Sequence, residues 1–256
     1  FRTMNEIVVL EWKFSPPDYF EEVIHIDRET YSIIIENGRI EARIDPTAYD
    51  QEHRMRDELH EALNDRFLGV QLLTHKQYEL SNASMYRLYP DGHKDVTLFP
   101  EPIVMTMTID STDIIVKNNE GNIVTDTRRD RIQKKKKLAE LAEKYRSKDQ
   151  VVESILKSYK SAVTDPENEL VHLFEIREAL SSKFGRATRA TLGISMSNWS
   201  KLSMLANDEP LRQGRHRGRE VGRLRDATES ELKEAREIAR KMIEAYLQYL
   251  EDKNVE

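Results

Sequence analysis

Apolar residues in the first half of the chain come in short runs at a spacing of two, and those of the second half recur at three and four. Glu6–Lys13 and Glu21–Asp27 are apolar-rich runs with β-branched residues, Tyr31–Ile35 is a third, and Arg39–Asp45 alternates strictly. Asn37-Gly38 stands between the last two. Both residues tolerate positive φ, so the pattern predicts a hairpin that turns there. Over Thr47–Phe67 the period becomes helical, with Met55, Leu59, Leu63 and Phe67 on one stripe. Strand patterns resume at Gly69–Thr74, Ser84–Tyr89, Val96–Phe99, Ile103–Ile109 and Asp113–Lys117, and Asn118–Asn122 reads as a turn into Ile123-Val124. Short strands at about ten-residue spacing predict a mostly antiparallel sheet with one helix packed on it.

From Thr127 onward everything reads as helix. Arg128–Arg146 and Val151–Val163 come first. Asp165 as N-cap and Pro166 at the first helical position then open a helix that runs to about Phe184-Gly185. Ala187–Gly193 is a short helical piece ending in glycine, and Ser195 or Ser197 caps a helix with Trp199, Leu202 and Leu205-Ala206 on its apolar face. Asn207–Ala227 is irregular. Thr228-Glu229-Ser230-Glu231 has the form of a capping box for a final helix with an apolar stripe from Leu232 to Leu247. The fold class expected is α+β: a mostly antiparallel β domain with one helix over residues 4–127, and an all-α bundle over residues 128–256. Phe1–Thr3 are read as a remnant ahead of a native start at Met4.

Charge sharpens this division. Residues 1–126 carry 12 Lys and Arg against 24 Asp and Glu, whereas residues 127–256 carry 28 against 22, so a net charge of −6 conceals an acidic half and a basic one. The second half is therefore a candidate for binding a polyanion. No stretch approaches the roughly 18 to 20 apolar residues of a membrane span. With no cysteine, disulfides, thiolate zinc sites and cysteine nucleophiles are excluded. A cytoplasmic protein that does not engage membranes is expected.

Chemistry is densest in Asn207–Arg225. Arg212–Arg225 holds six arginines, one histidine, one acid and three glycines. Arginine offers bidentate donors to phosphate, and glycine lets backbone approach closely. Histidine among arginines is disfavoured in its charged form, which leaves a neutral base. Arg212, Arg215, Arg217, Arg219 and Arg223 are thus candidate phosphate or RNA-backbone ligands, with His216 placed to act on a ribose hydroxyl. The bland alternative is a solvated loop whose arginines pair with nearby glutamates. A second constellation, Glu169, His172, Glu175, Arg177 and Glu178, shares one helix and could line a cleft against the loop; more often such groups form a structural network. Lys134–Lys137 beside Arg128, Arg129 and Arg131 could track a phosphate backbone, although charge runs are usually solvated surface. His53, Asp57 and His60 lie two turns apart on one helix, too far to share a zinc ion. Glu11-Trp12-Lys13 lacks the upstream aspartate of a metal-dependent nuclease, and there is no phosphate-binding glycine loop or nucleophile elbow. No metal or cofactor is expected.

A helical bundle in which an Asn–Arg–His loop directly precedes the last helix resembles the HEPN superfamily, as does a strand-rich domain in front. The resemblance covers roughly residues 150–250. It implies a helical, often dimeric module: either a metal-independent ribonuclease or a nucleotide-binding module of defence and toxin–antitoxin systems. The family signature is an arginine, usually a polar residue, four to six further residues and a histidine. Here Arg212, Gln213 and His216 occupy those places with three residues between arginine and histidine, and Ala206 rather than arginine precedes Asn207. On this resemblance His216 would be the acid/base, Arg212 and Arg215 would hold the phosphate, and Asn207 would orient the histidine. The alternative is a non-catalytic, dimeric binding module with an anion-binding arginine loop. Homodimerisation is expected because the amphipathic helices offer more apolar stripe than one small bundle can hide.

Overall fold

The computed structural model describes residues 6–91, 93–97, 115–117, 123–219 and 222–253. They form two compact units: residues 1–67 with 78–136, and residues 68–77 with 137–256. The division falls inside a helix that starts at Thr127, and it takes the end of an earlier helix into the second unit.

The first unit is built on an antiparallel sheet. Its strands are β1 (Ile7–Ser15), β2 (Ile24–Asp27), β3 (Tyr31–Glu36), β4 (Arg39–Ile44), β5 (Glu79–Leu80), β6 (Ser84–Leu88) and β7 (Lys94–Thr97), in the order β2-β3-β4-β1-β6-β7 with β5 beside the end of β1. A separate pair, β8 (Ile115–Lys117) and β9 (Ile123–Asp126), completes the strands described. The alternation read from sequence sets the register. Val8, Leu10 and Trp12 stand opposite Ile44, Ala42 and Ile40, and Ile33 and Ile35 oppose Ala42 and Ile40, so every buried side chain of this set lies on one face. The hairpin turns at Asn37 (φ 44°) and Gly38 (φ 78°), as the dipeptide predicts. Phe14, Tyr19, Phe20, Phe67 and Tyr78 form an aromatic cluster with ring centroids 4.9–5.9 Å apart, and the Tyr19 hydroxyl donates to the Phe67 carbonyl at 3.1 Å. The expected strand at Ile103–Ile109 and the turn at Asn118–Asn122 lie outside the described residues.

Two expectations about helices in this region are corrected. Helix α1 (Pro46–Gln51) ends before His53, which lies in a turn, and α2 (Met55–Thr74) runs straight through Gly69–Thr74 where a strand was expected. The glycine marks close packing rather than a break. A Cβ at position 69 would strike the Leu138 carbonyl and lie 2.7 Å from Ala139 Cα. Those residues belong to α3 (Thr127–Tyr145), so at this point two helix backbones touch.

The second unit packs the end of α3 with α4 (Gln150–Thr164), α5 (Glu169–Phe184), α6 (Thr188–Leu192), α7 (Met196–Ser203) and α8 (Glu229–Lys253). Several helix ends carry caps, those at Ser195 and Gly193 among the expected ones. Asp149 accepts from the Val151 and Val152 amides at 2.9 Å, Ser195 accepts from Asn198 at 3.2 Å, and Gly193 ends α6 at φ 64°. Thr228 and Glu231 close the reciprocal box that opens α8. Asp165 departs from expectation. It precedes a 3₁₀ turn (Pro166–Asn168) and makes no side-chain cap bond; its carboxylate accepts from Asn168 Nδ2 at 2.8 Å instead. The α8 stripe, from Ala235 through Ile238, Met242 and Ile243 to Leu247, is buried inside the unit. The surplus apolar surface expected to drive dimerisation is therefore absent from α8. Among the described residues no helix is long and apolar enough to cross a membrane.

In an open helix position Gly→Ala gains about 1 kcal/mol. At position 69 the sign should reverse. Gly69→Ala is expected to cost about 2 kcal/mol by overpacking, whereas Gly218→Ala, which meets nothing within 4 Å, should stay within about 0.5 kcal/mol. Urea unfolding of both variants reads this directly, and a stabilised Gly69→Ala would mean that α2 and α3 do not meet there.

Candidate functional site

The arginine-rich segment folds as a braced loop between α7 and α8. After α7 the chain makes a π turn over Met204–Asp208 and then doubles back. Arg212 N donates to the Arg225 carbonyl and Arg225 N to the Pro210 carbonyl, both at 3.0 Å, which pairs the two ends of the loop. Leu211, within this paired segment, is buried. Arg215 N donates to the Ala206 carbonyl at 2.7 Å, where Gly214 must pass: a Cβ there would sit 3.1 Å from the Ala206 oxygen. Gln213, in the polar place of the expected motif, accepts from Ala227 N at 3.0 Å and so helps close the loop. Around it opens a cleft of about 580 Å³ lined by Glu167, Arg212, Gln213, Arg217, Gly222, Leu224 and Asp226.

The candidate arginines divide into two sets. Arg215 pairs with Glu178 at 2.8 Å, Arg217 is held by Asn168 Oδ1, and Arg225 grips Glu231 through two bonds of 2.7 and 2.8 Å. The Arg225 guanidinium, with the first turn at Thr228 adding to it, holds the Glu231 carboxyl down to about 2. Arg212 is different, with a side chain 63% exposed and a nearest carboxylate, Asp226, 3.8 Å away. Arg219 and Arg223 are exposed and make no ion pair among the described residues. Half-buried His216 makes no side-chain hydrogen bond there and does not line the cleft. Asn207 donates to Ser203 Oγ at 3.4 Å, and its Oδ1 is buried without a partner. The Ala206–Arg215 bond brings the neighbourhoods of Asn207 and His216 together, but no side-chain bond joins the two residues.

On α5 Glu169 parts company with His172 and Glu175. His172 lies 3.2 Å from Asp165 and 3.4 Å from Glu175, and Ser158 donates to Glu175 at 3.0 Å. Through Asp165, Asn168 and Arg217 this chain of polar groups reaches the loop. Glu169 turns inward instead. It is 1% exposed and receives Arg236 Nε and Nη2 at 2.5 and 2.9 Å. His75, at φ 49°, sets Nε2 3.4 Å from Glu169 and Nδ1 3.4 Å from the Tyr159 hydroxyl, which donates to the Leu72 carbonyl. Burial pushes the Tyr159 hydroxyl up and pulls His75 down to about 4, with Arg236 adding to the latter. His75, Tyr159 and Arg236 were missed by the sequence reading, because each sits alone within its local pattern.

Compared with family models, curated proteins and solved structures, the chain matches none.

Two cations of the basic run on α3 are occupied in the first unit. Arg131 and Lys135 both donate to Glu21, at 2.6–2.8 Å and 2.5 Å, and hold its carboxyl down to about 2. Arg128, Arg129, Lys136 and Lys137 of the same run are exposed, as are Arg212, Arg219 and Arg223 of the loop.

The buried histidine carries a pH prediction. Its folded pKa, about 4, lies below the ordinary 6.5, so the unfolded chain takes up the proton first as pH falls. Stability linked to His75 is fully present above 6.5, is lost between 6.5 and 4, and levels off below. Between about pH 7 and about pH 4.5 this should amount to about 2 kcal/mol. His75→Asn, which keeps a residue tolerant of positive φ, should flatten that part of the curve in urea unfolding. Parallel curves for the two proteins would contradict a buried neutral imidazole.

Proposed function

We propose that the helical unit binds RNA through the arginine loop and holds it without cleaving it. The observation that carries this reading is the division among the arginines. Arg215, Arg217 and Arg225 are committed to partners within the unit, while Arg212, Arg219 and Arg223 are exposed and make no side-chain hydrogen bond among the described residues. A loop whose ends are braced by hydrogen bonds and which presents guanidinium groups suits phosphate oxygens. The 3.8 Å separation of Arg212 from Asp226 is beyond hydrogen-bond range, so an incoming phosphate displaces only a loose contact.

Cleavage has less support. A metal-independent ribonuclease of the HEPN kind would bring arginine and histidine onto one phosphate, yet Arg212 lines the cleft and His216 does not. The reading is thus the non-catalytic form of the HEPN resemblance. It concerns a single copy, since the α8 stripe that suggested a dimer is already covered.

Replacing Arg212, Arg219 and Arg223 together by alanine should weaken binding of a single-stranded RNA severely and lower the slope of log affinity against log salt by about 2. His216→Ala should leave affinity within about twofold, and wild type should leave the RNA intact. Unchanged binding in the triple variant would overturn the proposal. RNA cleavage lost on His216→Ala would replace it with the catalytic reading.

A further inference from the structure

An alternating stack of rings and guanidinium groups leads away from the loop, and the binding role proposed above leaves it unused. The Arg177 guanidinium lies 4.4 Å from the centroid of the Trp199 ring and 5.0 Å from that of Phe174, and the Arg215 guanidinium lies 4.8 Å from the same Phe174 ring. All three distances are within the range of cation–π attraction. Phe174 and Arg177 come from α5, Trp199 from α7 and Arg215 from the loop itself.

We infer that Trp199 is the stacking platform for an unpaired RNA base, which makes single-stranded RNA the substrate class of the arginine loop. The inference rests on the RNA-binding role proposed for that loop. Three observations favour it over simple packing. Phe174 is buried, whereas Trp199 at the far end of the stack is only half-buried. One turn before Trp199 on the same helix, Met196 is 58% exposed and extends the apolar surface beside the ring. Trp199 also connects, through Arg177 and Phe174, to an arginine of the loop whose exposed neighbours would hold the backbone. A base stacks on a ring regardless of its identity, and a paired base cannot leave its duplex without cost, so the arrangement selects for single strands and not for sequence.

The chain's two tryptophans make the test direct. Trp12 is fully buried in the first unit, so quenching on addition of RNA reports Trp199. An oligoadenylate of about twenty nucleotides should quench wild-type emission at saturation, and an RNA duplex of equal length should not. Trp199→Leu should lose about tenfold in affinity for the oligoadenylate, and Trp199→Phe, which keeps a ring in the stack, should lose much less. Inorganic polyphosphate, a polyanion without bases, should bind wild type and Trp199→Leu equally, which also shows that the variant is folded. If oligoadenylate and polyphosphate both bind but emission is unmoved and Trp199→Leu binds RNA as wild type does, stacking is overturned while the loop keeps its role. If neither polyanion binds, the loop's role falls and the platform with it.

Discussion

Glu169 has almost no access to water, and both of its oxygens are taken by Arg236. Two charges removed from solvent are tolerable only as a pair in good geometry, and loss of one partner typically costs about 3–5 kcal/mol. The pair therefore specifies how the start of α5 meets α8. Arg236 reaches Glu229 as well, at 2.7 Å, so the first turn of α8 belongs to the same network. His75 and Tyr159 enclose it, and burial keeps the imidazole neutral so that it adds no third charge.

The loop depends on this pairing because its fixed arginines are held by the same two helices and the turn before them. Asn168 and Glu178 bind Arg217 and Arg215, and Glu231 binds Arg225. Three guanidinium groups thus become struts and leave their neighbours exposed. Exposed ion pairs contribute little stability individually, so the value of these bonds lies in positioning. Residue type does not tell the two sets apart; what distinguishes them is which acids and amides the helices bring alongside.

Features decided within a few residues were legible in the sequence. Asn37-Gly38 marks its hairpin, Ser195 its helix start, Gly193 a helix end and Thr228–Glu231 a capping box, because each is local stereochemistry. Gly69 misled for an instructive reason: a glycine before an apolar run looks like a strand boundary, but here it admits another backbone, a requirement set by Leu138 far along the chain. Likewise Glu169, His172 and Glu175 share helical spacing, yet their directions are settled by Arg236 on one side and Asp165 on the other. The loop was identifiable by composition, but its internal division was not. The Trp199–Arg177–Phe174–Arg215 stack, drawn from three segments, has no linear signature.

The proposed landing site for a polyanion is the arginine loop rather than the basic run on α3. Hydrogen–deuterium exchange with and without saturating RNA tests this most directly, since it maps where binding is felt. The account predicts slowed exchange across residues 206–219 and 222–227, with residues 128–137 unchanged. Protection confined to residues 128–137, or absent from the loop while RNA is bound, would contradict it.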